Sequence, residues 1–450
     1  VPRSDRRRFA RAATWGSLVA LAIGLCMLVG TEVTLVRDNG LLGSFYDVQG
    51  RALLDGHLYV DPRDVSFEGF RVDGRTYTYF GLFPSLLRLP VLVITDDLDG
   101  QLTQLSMLLA LGVLLAASGV LHWRVRSVLR GERGVETSDL LAAFGAQLAI
   151  GAAIPLYLAS RTVVYHEAEL WGAALSVAAL AALMRVFQRP APRAIAWAGL
   201  FATLALNARF SVGMGPVLGL GVLAATGLLG WWAVADRRRT AVLLLAAALV
   251  ALGTHAAVNT AKLGQPFGIP IDKQVYSRTD PDRRAALEAN DGTIFGAKFV
   301  PTALVQAVRP DAVGTLRAFP FIGLPTDPAP LIGDVRFDTI DPSLSAVTSM
   351  PALFLLTIVG VVALARRRDL WPVLGVLAGT AVAFGSTLTI AFVTTRYLAD
   401  LLPCLALGGL VGLQAALGAG RRTGLVLGAA GLLVLAGAAV FSNTVQPSAD

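Results

Sequence analysis

With 450 residues, 55% of them hydrophobic and only 15% charged, and a mean hydropathy of +0.63, the chain carries more apolar material than one soluble core can bury. That excludes an ordinary water-soluble domain and makes it a multi-spanning membrane protein. The net charge of +7 would suit nucleic acid, but the arginines gather in short clusters between apolar runs and read as topology signals, so no nucleic-acid partner is expected.

Apolar runs long enough to cross about 30 Å of hydrocarbon occur near 14–36, 101–123, 138–160, 163–186, 193–209, 211–235, 240–259, 346–365, 370–392, 398–418 and 423–442. The first is too long for the core of a signal peptide and is read as a retained helix. The stretch "FGLFPSLLRLPVLVITD" from 80 to 96 is apolar but short and interrupted by two prolines and Arg88, so it is expected to lie in the membrane interface. Cys26 and Cys404 each sit inside an apolar run and indicate neither a disulfide framework nor a thiolate metal site.

The basic clusters are Arg6, Arg7, Arg8 and Arg11; Arg124, Arg126, Arg130 and Arg133; Arg185, Arg189 and Arg193; Arg237 to Arg239; Arg366 to Arg368; and Arg421 with Arg422. Eleven spans with an interfacial 80–96 segment put all six on the cytoplasmic side, with the amino terminus inside and the carboxyl tail outside. The expected fold is therefore an all-α polytopic membrane protein of about eleven transmembrane helices, read as one membrane domain with two large extracytoplasmic loops, 37–100 and 260–345. In the first loop "FEGFRVDGRTYTYF" alternates around Asp73-Gly74, which predicts a β-hairpin with a type I′ turn. The second is rich in Pro, Asp and Gly, with an amphipathic helix near "TALVQAVR".

Ionisable residues at a membrane edge are costly and are candidates for function. Here they gather at the outer level: Arg161 with "YHEAELWG", then "NARF" around Arg209, then His255, Asn259 and Lys262, and finally "TTRYLAD". In the fourth span, helical spacing puts His166 and Glu169 on one face with Thr162, sets Arg161 beside Tyr165, and turns Glu167 elsewhere. Arg396 and Asp400 are four apart, close enough to pair with each other. Tyr46, Tyr59, Tyr77 and Tyr79 offer faces on which sugars stack, although interfacial belts are rich in tyrosine in any case. There is no Walker A loop, no G-x-G-x-x-G after a strand, no H-E-x-x-H and no nucleophile elbow, so nucleotide-driven and serine-type chemistry have no support.

Outside the cytoplasm there is no pool of nucleotide sugars, so group transfer there commonly relies on lipid-linked donors, and a polyprenyl-phosphate sugar suits this layout. Its phosphodiester gains charge as the sugar departs, so a cation placed there holds the transition state more tightly than the ground state. Arg161, Arg209, Lys262 and Arg396 are the candidates for that clamp. The acceptor hydroxyl, on a cell-envelope glycan or lipid, must lose a proton as it attacks. Asp47 is the preferred base, Asp55 the second, with Glu169 and His166 behind. Tyr46, His57, Tyr165, Tyr397 and Asp400 complete the candidate substrate-binding set. Direct displacement inverts the anomeric centre. Two other readings remain open here: a transporter or flippase of lipid-linked sugars, and a noncatalytic envelope scaffold. Transporters hold ionisable residues near the bilayer midplane, whereas these crowd one edge.

Together "SFYDVQGRALLDGHLYV", "YTYFGLFPSLLRLP", "YHEAELWG", "ARFSVG" and "RYLADLLP" resemble the C-type (GT-C) membrane glycosyltransferases, particularly the actinobacterial polyprenyl-phosphate-sugar-dependent enzymes of cell-envelope assembly. The resemblance implies that a first-loop aspartate, here Asp47, is the catalytic base. It also implies juxtamembrane helices, matching 80–96, and a decaprenyl-phosphate donor carrying arabinofuranose or mannose. Many relatives carry adjacent acids in this loop, whereas Asp47 and Asp55 are eight apart, which puts a divalent cation in question as a cofactor. Several larger relatives end in a soluble carbohydrate-binding domain; the last apolar run here ends near the end of the sequence, so acceptor choice is expected to rest on the two loops.

Overall fold

The computed structural model describes residues 2–30, 33–315, 317, 322–325 and 327–418. Among these, seven helices are long and apolar enough to cross a membrane: Arg3–Val29, Thr103–Arg130, Val164–Gln188, Phe210–Leu228, Arg237–Leu263, Arg368–Thr387 and Thr395–Gly418. Eleven full-length spans are expected from hydropathy, and the difference lies in helix breakers. Thr137–Gly151, Pro192–Leu206 and Pro351–Ala365 have 15 residues each, roughly 22 Å of helix against about 30 Å of hydrocarbon. The 138–160 run, for instance, breaks after Gly151 and restarts as Ile154–Ala159 with Pro155 in its first turn. The 423–442 run and the Arg421 and Arg422 cluster lie outside the described residues.

Local chemistry sets the helix ends. The Asp236 side chain accepts a hydrogen bond from the Arg239 backbone N–H at 3.0 Å and starts Arg237–Leu263, which Gly264 closes in the left-handed region at φ 76°. Val163 is extended and Val164 opens its helix, so Arg161 and Thr162 lie before the first turn rather than on it. Their expected helical register with Tyr165, His166 and Glu169 does not exist; the β-branched Thr162-Val163 pair favours extended backbone there.

Val164–Gln188 is the most enclosed of the long helices, with 83% of its apolar window buried, while Arg237–Leu263 and Arg3–Val29 expose most of theirs. Small residues let helices close up: a Cβ added to Gly412 on Leu402–Gly418 would sit 1.8 Å from the Leu356 carbonyl oxygen on Pro351–Ala365. At one end of the bundle Val135 N–H donates to Asp5, Arg126 and Arg130 pair with Asp139 at 3.0 and 2.6 Å, and Arg124 donates to Gln188. Three of the arginine clusters therefore share an end.

The first loop covers the other end. Its helix Phe45–Leu54 packs against the helix Phe83–Leu92. Between them the strands Phe70–Val72 and Arg75–Tyr77 pair antiparallel through Asp73 and Gly74, at φ 49° and 77°, the two positive values that a type I′ turn requires. The second loop carries the helix Val300–Val308 and leans on the first through the Phe70–Gln274 bridge and a Val275 N–H to Gly69 carbonyl bond of 2.9 Å. Its strand Thr339–Ile340 pairs in parallel with Phe392–Val393.

Candidate active site

Asp47 lies in the first turn of Phe45–Leu54, where the helix dipole favours a carboxylate. Its side chain is 1% exposed. Oδ1 lies 2.7 Å from Arg88 Nε, and Oδ2 accepts a long hydrogen bond of 3.4 Å from Leu102 N–H. Arg88 Nη2 donates to Glu167 Oε2 at 2.9 Å and to Thr103 Oγ1 at 3.0 Å, while Ser106 donates to the other oxygen of Glu167. One guanidinium thus serves two buried carboxylates from distant parts of the chain. Burial pushes the Asp47 carboxyl above its ordinary pKa, opposed by Arg88 and by the backbone N–H groups of Leu102 and Gly100.

Asp47 also lines an open cavity of about 270 Å³ in the first loop, together with Arg51, Asp55, His57, Tyr59 and Asp99. Asp55 is exposed at its rim. His57 stacks on Tyr59 with centroids 3.9 Å apart and planes at 11°, and Arg75 covers the Tyr59 ring at 4.6 Å. Arg51 is held by Asp99 at 2.7 Å and by the carbonyls of Leu92 and Thr95.

A second polar group stands on the opposite side of Val164–Gln188. Arg209, just before Phe210–Leu228, donates to Asp400 at 2.8 Å and reaches Glu169 at 3.2 Å. Asp400 accepts further bonds from Ser211 and Thr387. Arg396 Nε stays 3.8 Å from Glu169, and its guanidinium lies over the rings of Tyr165 and Tyr397, 4.6 and 5.5 Å from their centroids. Its side chain is 23% exposed, the most open of this group of charges. Asp400 pairs with Arg209 and not with Arg396, because Thr395–Leu401 is a 3-10 helix, in which residues four apart do not share a face. Tyr165 donates to Glu68, which also accepts from Gln274 at 3.3 Å.

Glu167 and Glu169 are two residues apart on one helix, so they point to nearly opposite sides. Both are buried because the helix is enclosed. The two polar groups are joined by a run of ring contacts: Arg88 over Tyr46 at 5.3 Å, Tyr46 to Phe80 at 6.1 Å, Phe80 to Tyr165 at 5.5 Å, then Arg396 over Tyr165. Arg209 and Arg396 do not line the cavity that Asp47 lines.

The remaining sequence candidates are placed differently. Lys262, 3% exposed, donates to the Phe80 carbonyl at 2.7 Å and to Thr78 at 3.2 Å, so it anchors the first loop to the end of its helix instead of joining Arg209. Arg161 is exposed, and the ion pairs of Glu169 and Asp400 among the described residues are with Arg209 and Arg396 instead. His166 is buried with Nδ1 3.0 Å from the Leu158 carbonyl, a helix-end contact. Arg88, Glu167 and Glu68 escaped the sequence reading, although a lone arginine inside a proline-broken apolar stretch is itself a signal. Among the described residues no three His, Cys, Asp or Glu side chains gather as a metal site.

No protein-family model matches the sequence, and no curated protein matches it. By structure the chain is similar to the apo form of the oligosaccharyltransferase from Archaeoglobus fulgidus, with a TM-score of 0.53 and 17% identity. The match covers 97% of this chain and 57% of that one, so the chain spans little more than half of that protein's length. Likeness at this identity speaks to the fold alone: the chain is a helical membrane protein whose helices are arranged much as in that oligosaccharyltransferase.

Proposed function

We propose that this protein is a membrane glycosyltransferase that moves a sugar from a polyprenyl-phosphate donor to a cell-envelope glycan or glycolipid on the extracytoplasmic face of the plasma membrane. The observation that carries the reading is Asp47, buried yet lining an open cavity, at the same end of the bundle as the arginine pair around Glu169. The fold likeness to an oligosaccharyltransferase supports the same class of chemistry.

In this reading the acceptor hydroxyl enters through the first-loop cavity and gives its proton to Asp47 as its oxygen bonds to the anomeric carbon. The bond from that carbon to the phosphate oxygen breaks, and polyprenyl phosphate leaves with the electron pair. Arg396, held loosely by Glu169, takes the growing phosphate charge, with Arg209 behind it. For one sugar to reach both groups, the Phe80–Tyr165 contact must part, so donor binding opens the ring run. The resemblance in sequence favours an arabinofuranosyl or mannosyl unit.

The test is turnover of labelled polyprenyl-phosphate sugars by the full chain in nanodiscs. Asp47→Asn is expected to lower turnover by about 10²–10⁴-fold while donor binding persists. Unconsumed donor that nevertheless crosses the bilayer of proteoliposomes would establish a transporter instead.

A further inference from the structure

Three oxygens from three separate elements face the Arg88 guanidinium: Asp47 Oδ1 on Phe45–Leu54, Glu167 Oε2 on Val164–Gln188 and Thr103 Oγ1 on Thr103–Arg130. Two carboxylates and a hydroxyl form the kind of donor set that a hard divalent cation takes. Here the point they share is filled by a side chain. Arg88 is 3% exposed and sits on a short apolar helix with Pro90 inside it, roofed by the Tyr46 ring. A guanidinium stays charged at any working pH, so the positive charge at this point is permanent.

The sequence resemblance raises a divalent cation as a cofactor, and these residues do not fit one while Arg88 is in place. A metal ion would need the same two carboxylates at about 2.0–2.6 Å, and the guanidinium already lies against both. Among the described residues no third carboxylate, histidine or cysteine completes a cage with them.

We propose that Arg88 is the resident cation of this site, standing where a divalent metal ion would otherwise be held and orienting Asp47 in its place. Its effect on transfer rests on the glycosyltransferase reading; its exclusion of metal does not. Arg88 is a positioning residue that acts through Asp47: it forms an ion pair with one carboxylate oxygen while Leu102 N–H donates a long hydrogen bond to the other, and the carboxylate between them lines the cavity.

The experiment follows Mn²⁺ binding by electron paramagnetic resonance on the full chain in nanodiscs, beside turnover of polyprenyl-phosphate sugar with EDTA. The wild type is expected to bind no stoichiometric Mn²⁺ and to turn over equally with and without EDTA. Arg88→Ala frees the donor set and is expected to bind about one Mn²⁺ per chain, lost again when Glu167→Gln is added. Arg88→Lys keeps the charge, binds no Mn²⁺ and lowers kcat about tenfold with KM little changed. A wild type that binds one Mn²⁺ sensitive to Asp47→Asn, or that stops in EDTA and recovers with Mg²⁺, overturns the proposal. So does a folded Arg88→Ala that binds none. Should Arg88→Ala not fold, the wild-type and Arg88→Lys arms decide. Absence of any turnover by the wild type would count against the glycosyltransferase reading, while the Mn²⁺ measurements still decide this one.

Discussion

Arg209 and Arg396 both stand beside Glu169, yet their surroundings assign them different work. Arg209 is clasped by two buried carboxylates, so Arg209→Gln strands Asp400 and Glu169 and is expected to cost about 3–5 kcal/mol, read as a lower thermal midpoint or loss of folded protein. Arg396 makes only a 3.8 Å contact and leans on aromatic faces. Arg396→Gln should therefore keep the fold and raise KM for the donor about tenfold, measured by initial rates against donor concentration. Asp47 brings a pH dependence with a definite sign. In the proposed reaction Asp47 must be ionised to accept a proton, so turnover should fall with decreasing pH while still above the ordinary carboxylate range, because burial raises its pKa. The folded state also holds this proton more tightly than the unfolded chain does. Its contribution to stability is thus complete below the unfolded carboxylate pKa and is lost as pH rises through the folded value. Rate and thermal midpoint measured over one pH series should show these opposite trends.

Elements meet at close approaches that single methyl groups would disturb. A Cβ on Gly81 would lie 1.9 Å from the Asn207 carbonyl oxygen, where Phe83 N–H also bonds to that oxygen at 3.1 Å. This contact seats the Phe83–Leu92 helix, and with it Arg88, against the turn that carries Arg209. Gly81→Ala is expected to destabilise by about 1–3 kcal/mol and to lower turnover, both measurable on purified protein. The hairpin before it was legible in the sequence, since Asp73-Gly74 between alternating apolar residues is a local instruction. The start of the Val164–Gln188 helix was less so: apolar periodicity continues through Thr162 and Val163, and only backbone conformation marks the true boundary.

For the whole molecule, the arginine clusters near 6–11 and 124–133 share one end of the bundle, and the two loops with their buried charges occupy the other. This arrangement predicts a membrane orientation that cysteine labelling can test. In a Cys26→Ser background, the exposed positions Asp64→Cys and Glu132→Cys should react with an impermeant maleimide from opposite sides of sealed vesicles, Asp64→Cys from the extracytoplasmic side. Reaction of both from one side would remove the orientation on which the proposed donor depends. The loops are also joined to each other, through Glu68 to Gln274 and Gln274 to Arg283, which pairs with Asp338 at 2.7 Å.

Composition and local pattern alone determined that this chain is helical and membrane-embedded, where its hairpin turns and roughly where its apolar helices lie, because these properties depend on neighbours within a few residues. They also marked Asp47, Glu169, Arg209 and Arg396 as charges worth watching, since burying a charge near lipid is costly wherever it happens. Which charge meets which was decided by tertiary structure. Arg88 and Glu167 are 79 residues apart and Arg209 and Asp400 are 191 apart, so only the packing of helices around Val164–Gln188 brings them within hydrogen-bond reach. Because that helix is largely enclosed, both Glu167 and Glu169 found partners, and a face that helical spacing turned away from His166 and Glu169 became half of the candidate site.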